Sequence, residues 1–214
     1  MTLADLRVVA ITDRRLMVPA DLLAAGDWPA IAAAFGRAVA RAVDGCPADS
    51  VVIQLREKDL DGGPLLQLTR AAQPFAPVIV NDRLDVALAA DAYGVHLPER
   101  GLPVDVARAL APSLLIGVSR HAPPGHTGAD LVHLGPIWST PAKPDVPPLG
   151  EATLSGIALG SLARLVAVGG IDSPARARQA AAAGAAAVAV IRAAWNGASL
   201  APFVAAVEAG LARS

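Results

Sequence analysis

The residues of this chain with the most chemical character fall in a few short groups. The run "QLREKDL" holds Gln54, Arg56 and Lys58, "VNDR" holds Asn81 and Asp82, and "GVSRH" holds Ser119 and His121. Further on come Thr140, Lys143, the pair Gly169-Gly170, and Arg192. Arg56, Lys58, Lys143 and Arg192 are cations suited to a multiply charged anion. Gly169-Gly170, shortly before Ser173-Pro174, offers bare backbone amides and the positive end of a helix, the usual provision for phosphate. A tight strand-to-helix turn would require the same glycines. Read together with Arg192, the pair points to a phosphorylated small molecule.

For proton transfer the residue of choice is His121, since imidazole titrates near neutrality. His96 lies inside an apolar run and reads equally well as a hydrogen-bonded core residue. His126 and His133 read as loop and strand residues without a role. Asp82 beside Asn81 supplies hard oxygens that suit Mg²⁺ against a diphosphate; pairing with Arg83 or Arg56 is the alternative.

These side chains need a scaffold that gathers them. Short apolar, β-branched runs recur at 8–12, 50–55, 77–80, 93–97, 114–118, 130–134, 164–169 and 186–191, the lengths of strands buried on both faces. Helical spacing fills the intervals, as at 28–45 and at 173–184, the latter opening Ser-Pro and closing on Gly. Eight alternations without an interrupting linker predict an α/β fold: a (β/α)8 TIM barrel, one domain over residues 1–214. An open doubly wound sheet competes but usually stops at fewer strands. In a barrel the active face lies at the C-terminal ends of the strands. Every group named above stands there, which explains why the apolar run 50–55 finishes in Arg56, Glu57 and Lys58. One connection is irregular: "GPIWSTPAKPDVPPLG", residues 135–150, is a long Pro/Gly-rich loop of the kind used as a lid or binding loop.

Composition narrows the rest. Hydrophobic residues make up 54% and aromatics 3%, so the expected core is aliphatic. The net charge is −1 and no Lys/Arg run exceeds two residues, which argues against a nucleic-acid surface. Cys46 is the single cysteine, so neither an internal disulfide nor a thiolate metal cluster is expected, in keeping with a reducing cytoplasm. The N-terminal residues lack the pattern of a secretory signal. The apolar stretch Ala180 to Ala194 is broken by Gly184 and Arg192 and is too short to span a bilayer. The sequence allows a homo-oligomer without specifying one.

With these residues in place, the chain resembles the family of thiamine phosphate synthase and its relative TenI, a thiazole tautomerase. The resemblance rests on "AITD", "QLREKDL", "IVNDRLDVALAADAYGVHL", "IGVSRH", "GPIWSTPAKPDVPPLG" and "AVGGI", in family order from residue 10 to about 192. It implies a barrel enzyme of thiamine biosynthesis. The synthase joins hydroxymethylpyrimidine diphosphate to thiazole phosphate with Mg²⁺ and releases diphosphate. The tautomerase moves a proton to aromatise a thiazole carboxylate phosphate and needs no metal. By that resemblance Gln54, Arg56 and Lys58 match pyrimidine and diphosphate contacts, Asn81 and Asp82 the next pair, with Asp82 a metal ligand in the synthase. Ser119, Thr140, Lys143 and Gly170 also match.

Three positions depart from the synthase. Gly101 stands where a second metal-binding Asp belongs, Ala142 where a Thr precedes the loop lysine, and Arg192 where strand eight ends in Ser. The "HLP" turn and the "KPDVPPLG" loop resemble the TenI branch, in which the histidine matching His121 is the acid/base group. The expectation is therefore a tautomerase without cofactor, its phosphate held at Gly169, Gly170 and Arg192. The synthase with Mg²⁺ at Asp82 is the alternative. A third class is a barrel that binds thiazole or thiamine phosphates without turnover.

Overall fold

The β-branched runs form eight parallel strands: β1 (Val8–Ile11), β2 (Val51–Leu55), β3 (Val78–Asn81), β4 (Gly94–Leu97), β5 (Leu115–Arg120), β6 (Leu131–Leu134), β7 (Arg164–Val168) and β8 (Ala187–Val190). Each pairs with the next in chain order, and β8 returns to β1 with Val8 opposite Val188 and Ala10 opposite Val190. This is the closed (β/α)8 barrel that the alternation predicts. The structure is a computed structural model that describes residues 3–125, 127–141, 144–157 and 163–212.

Alternation along the strands makes two cores. Val9, Val52, Ile79, Leu131 and Val166 fill the barrel, with Leu6 beneath them. Val80, Val95, Ile116, Val132 and Val188 face outward under the helices. Toward the C-terminal ends the inward positions turn polar: Gln54 stands opposite Ile11, Asn81 opposite His96, and Ser119 opposite His133. The barrel is thus dry at one end and hydrogen-bonding at the other.

The helices are α1 (Arg14–Met17), α2 (Ala20–Ala25), α3 (Trp28–Val43), α4 (Gly62–Ala72), α5 (Leu84–Ala89), α6 (Val104–Leu110), α7 (Pro174–Ala182) and α8 (Ala201–Leu211). Asp27 caps α3 by accepting from Ala30 N at 3.2 Å, and Pro29 sits in its first turn, where its missing N–H costs nothing. Ser173 and Pro174 open α7 in the same way.

The alternation is less regular than the sequence suggests. Three helices fill the first gap. Among the described residues, no helix joins β5 to β6, and only a 3-10 turn, Glu151–Leu154, lies between β6 and β7. Proline explains both gaps: Pro123-Pro124 in one and Pro136, Pro141, Pro144, Pro147 and Pro148 in the other remove donors a helix needs.

Candidate active site

A cavity of about 810 Å³ opens at the C-terminal ends of the strands, a volume suited to a small organic ligand. Gln54, Arg56, Lys58, Asn81 and Ser119 lie in its wall on one side. His121, Thr140, Gly169, Gly170 and Arg192 complete it. Ten of the residues singled out in the sequence thus share one cavity. Two differ. Asp82 does not line the cavity, and Lys143 falls, with Ala142 and His126, outside the described residues.

The extension of β2 is held by a residue to which sequence reading gave no role. Glu57 is buried between its exposed neighbours Arg56 and Lys58. Thr12 Oγ1 donates to Glu57 Oε1 at 2.8 Å and accepts from Arg56 N at 2.9 Å. Arg14 N donates to the same carboxylate at 2.9 Å and its guanidinium at 3.0 Å. Burial nevertheless pushes the Glu57 carboxyl up, against the pull of Thr12 and Arg14. These bonds fix Glu57, and with it the backbone that carries Arg56 and Lys58 into the cavity wall. Asp13 caps α1 through Arg15 N, which keeps Arg14 in register.

Arg14 also grips Asp59 through both nitrogens at 2.7 Å, and this holds the Asp59 carboxyl at about 2, below its ordinary 3.8. A carboxylate that binds protons less tightly when folded adds stability above the unfolded value and loses it as pH falls. Wild-type protein is therefore expected to lose melting temperature more steeply between about pH 4 and pH 2 than Asp59→Asn. Thermal melts across that range check it; parallel profiles would remove Asp59 from the acid limb.

The floor of the cavity is polar but uncharged. His96 Nε2 meets Ser119 Oγ at 2.8 Å, and its ring centroid lies 4.3 Å from that of His133, tilted by 46°. Gly117 makes room for this, since a Cβ there would stand 2.7 Å from His96 Nδ1. Burial lowers both imidazoles, His133 to about 3 and His96 well below its ordinary value, helped by His133 and Arg56. Gln54 Nε2 donates to Asn81 Oδ1 at 3.3 Å. His133, read from the sequence as a strand residue without a role, thus lies in the cavity wall. The residue's strand position was legible; its neighbour 37 positions away was not.

At the opposite wall Gly169 and Gly170 have φ of +96° and +72°. They also lie where side chains would strike Pro136 and Trp138, at 2.7 and 2.6 Å. Both needs point to glycine, so the turn is structural as well as available to an anion. Ile137 N and Trp138 N donate to Val168 O and Gly169 O, at 2.9 and 3.1 Å, stitching the loop after β6 to the end of β7. Arg176 donates to Gly170 O and stacks 5.5 Å from the Trp138 ring centroid. Arg192, exposed at the start of a 3-10 turn after β8, closes this corner.

His121 pairs through Nδ1 with Glu99 Oε2, and its backbone N–H reaches Glu99 Oε1 at 3.4 Å. The imidazole in turn lowers the Glu99 carboxyl. A carboxylate on one ring nitrogen orients the other, the arrangement that general acid–base chemistry uses. Nothing in the sequence announces this pair, because its members are 22 residues apart.

Asp82, at φ +64°, is the residue the resemblance offers for Mg²⁺. A Cβ on Gly101 would lie 3.2 Å from Asp82 Oδ1, so a second carboxylate at 101 would stand beside it. Gly101 supplies none, and among the described residues no three His, Cys, Asp or Glu side chains gather as a metal cage. One carboxylate does not make a protein-built magnesium site. Magnesium held here would therefore rest mainly on the phosphates of a bound substrate, in a mouth that Arg56 and Lys58 also line.

Comparison with known proteins agrees with this barrel. A family model described as thiamine monophosphate synthase matches residues 27–194. The thiamine-phosphate synthase of Anaeromyxobacter dehalogenans is 43% identical over 174 residues, covering 75% of this chain and 78% of that one. That of Roseiflexus castenholzii is 43% identical over 155 residues, covering 66% and 67%. The structure of thiamine phosphate pyrophosphorylase from Pyrococcus furiosus superposes with a TM-score of 0.70 at 28% identity, covering 98% of this chain and all of that one. None of these singles out the tautomerase branch toward which the sequence departures lean; the relatives carry the synthase name. The chain belongs to the thiamine monophosphate synthase family.

Proposed function

We propose that this protein couples hydroxymethylpyrimidine diphosphate to thiazole phosphate, forming thiamine phosphate and releasing diphosphate. The observation that supports it best is the division of the cavity: an uncharged floor of Gln54, His96 and His133 below rim cations Arg56, Lys58 and Arg192, with the rim carboxylates Glu57 and Asp59 taken up by Arg14. A neutral ring carrying a charged arm fits that division. Arg56 and Lys58 hold the diphosphate and stabilise its negative charge as the bond from carbon to oxygen breaks and the bond to the thiazole nitrogen forms. Gln54, Asn81 and Ser119 orient the pyrimidine, and Gly169, Gly170, Thr140 and Arg192 hold the thiazole phosphate. The names of the relatives support the same reaction.

A second reading has its own observations. Gly101 beside Asp82 removes the second carboxylate, and the Glu99–His121 pair is built for proton transfer, both of which suit a tautomerase with His121 as acid and base. One assay separates the two. Purified protein with both coupling substrates is expected to form thiamine phosphate with Mg²⁺ present and to lose most of that activity in EDTA. Absence of coupling under both conditions, with turnover of the thiazole carboxylate phosphate, would establish the tautomerase instead. Binding without either turnover would leave a non-catalytic barrel.

A further inference from the structure

Position 133 lies on the inner face of β6, where its neighbours Leu131 and Val166 are apolar and fully buried. A Leu or Val would satisfy that barrel interior. The chain instead places an imidazole there, 2% exposed, against His96 at 1% and not far from the level of Gln54 at 2%. Each of the three keeps a buried polar atom without a hydrogen-bond partner among the described residues: His133 Nε2, His96 Nδ1 and Gln54 Oε1. Folded proteins pair the large majority of buried side-chain polar atoms, so three on one cavity floor mark groups kept for something else. All three residues line the same cavity.

The chemistry they select follows from their protonation. Burial keeps His133 and His96 neutral at ordinary pH, and a neutral imidazole offers one donor and one acceptor. The Gln54 amide oxygen adds an acceptor. The floor therefore recognises an uncharged heteroaromatic ring that bears both acceptor nitrogens and an N–H donor. An aminopyrimidine has that pattern; a simple thiazole has no donor.

We infer that His133 is a specificity-determining residue for this enzyme, hydrogen-bonding through Nε2 to the aminopyrimidine ring of the substrate. The inference deepens the coupling reading and rests on it for the identity of the ring. His133 would select the ring, while the rim cations bind whatever charge it carries.

Isothermal titration of wild type, His133→Leu and His133→Gln with hydroxymethylpyrimidine, the unphosphorylated thiazole and inorganic diphosphate tests it. His133→Leu is expected to weaken hydroxymethylpyrimidine about tenfold, the worth of one neutral hydrogen bond, and His133→Gln to lose less. Thiazole and diphosphate affinities should hold. The Leu variant should melt no lower than wild type, because it removes an unpartnered polar group from the core. A histidine kept for structure alone would give the reverse: a lower melt and unchanged pyrimidine binding. That pattern overturns the inference, as does equal weakening of all three probes or a wild type that binds no neutral pyrimidine. Should the Leu variant not fold, His133→Phe is read in its place. A protein that binds pyrimidine through His133 yet forms no thiamine phosphate would refute the coupling reading and leave this assignment standing.

Discussion

Arg56→Ala is expected to lower kcat for coupling by about 10²- to 10³-fold, the usual loss when one donor to a developing oxyanion is removed. The Arg56 residue is exposed on the cavity wall just after a fully buried strand, so its removal leaves no hole in the core. The deficit should therefore fall on catalysis and not on folding. Because diphosphate gains charge as it leaves, the deficit should appear in kcat more than in KM. Arg56→Lys is expected to recover only part, since a point charge does not reproduce a two-pronged guanidinium. Steady-state kinetics checks this. A full-speed Ala variant would move the leaving-group role to Lys58 or to residues beyond the described wall.

Glu57→Ala carries the largest expected effect on stability, about 3–5 kcal/mol, the range for breaking a buried ion pair by removing one partner. Its side chain is 3% exposed and that of Arg14 is 12%, so water cannot replace what is lost. Thr12 Oγ1, Arg14 N and the guanidinium would all lose an acceptor. Glu57→Gln keeps an oxygen of similar placement and is expected to cost less. Urea unfolding measures both. A cost near zero for Glu57→Ala would mean that the mouth of the barrel repacks, and the clamp on Arg56 and Lys58 would have to lie elsewhere.

The frame of this barrel was open to reading because each strand carries its own local signature. Val51–Leu55 and Ala187–Val190 are apolar runs bounded by polar turns, and the Ser173-Pro174 opening of α7 is written in adjacent letters. The mouth of the barrel was legible too, since β-strand ends are known once strands are. What escaped was pairing across sequence distance. Glu57 finds Thr12 and Arg14 more than 40 residues back, and His133 finds His96 across β5. Sequence spacing contains no trace of either contact. Asp82 follows β3 as the sequence suggests, but its positive φ and its position off the cavity wall could not be read from the letters. The long loop after β6 was legible in its prolines, and the missing helix after β5 could have been foreseen from Pro123-Pro124.

The glycine turn after β7 has an optical consequence. Of the three tryptophans in the chain, Trp195 is buried with its indole N–H on Ile11 O at 2.7 Å, and Trp28 packs at the start of α3, away from the cavity wall. Trp138 alone sits against Gly170, under the Arg176 guanidinium. An anion seated on the Gly169-Gly170 amides changes the field at that one indole and leaves the other two as an internal reference. The protein carries its own fluorophore at the corner proposed for phosphate, and emission without a label would report occupancy there.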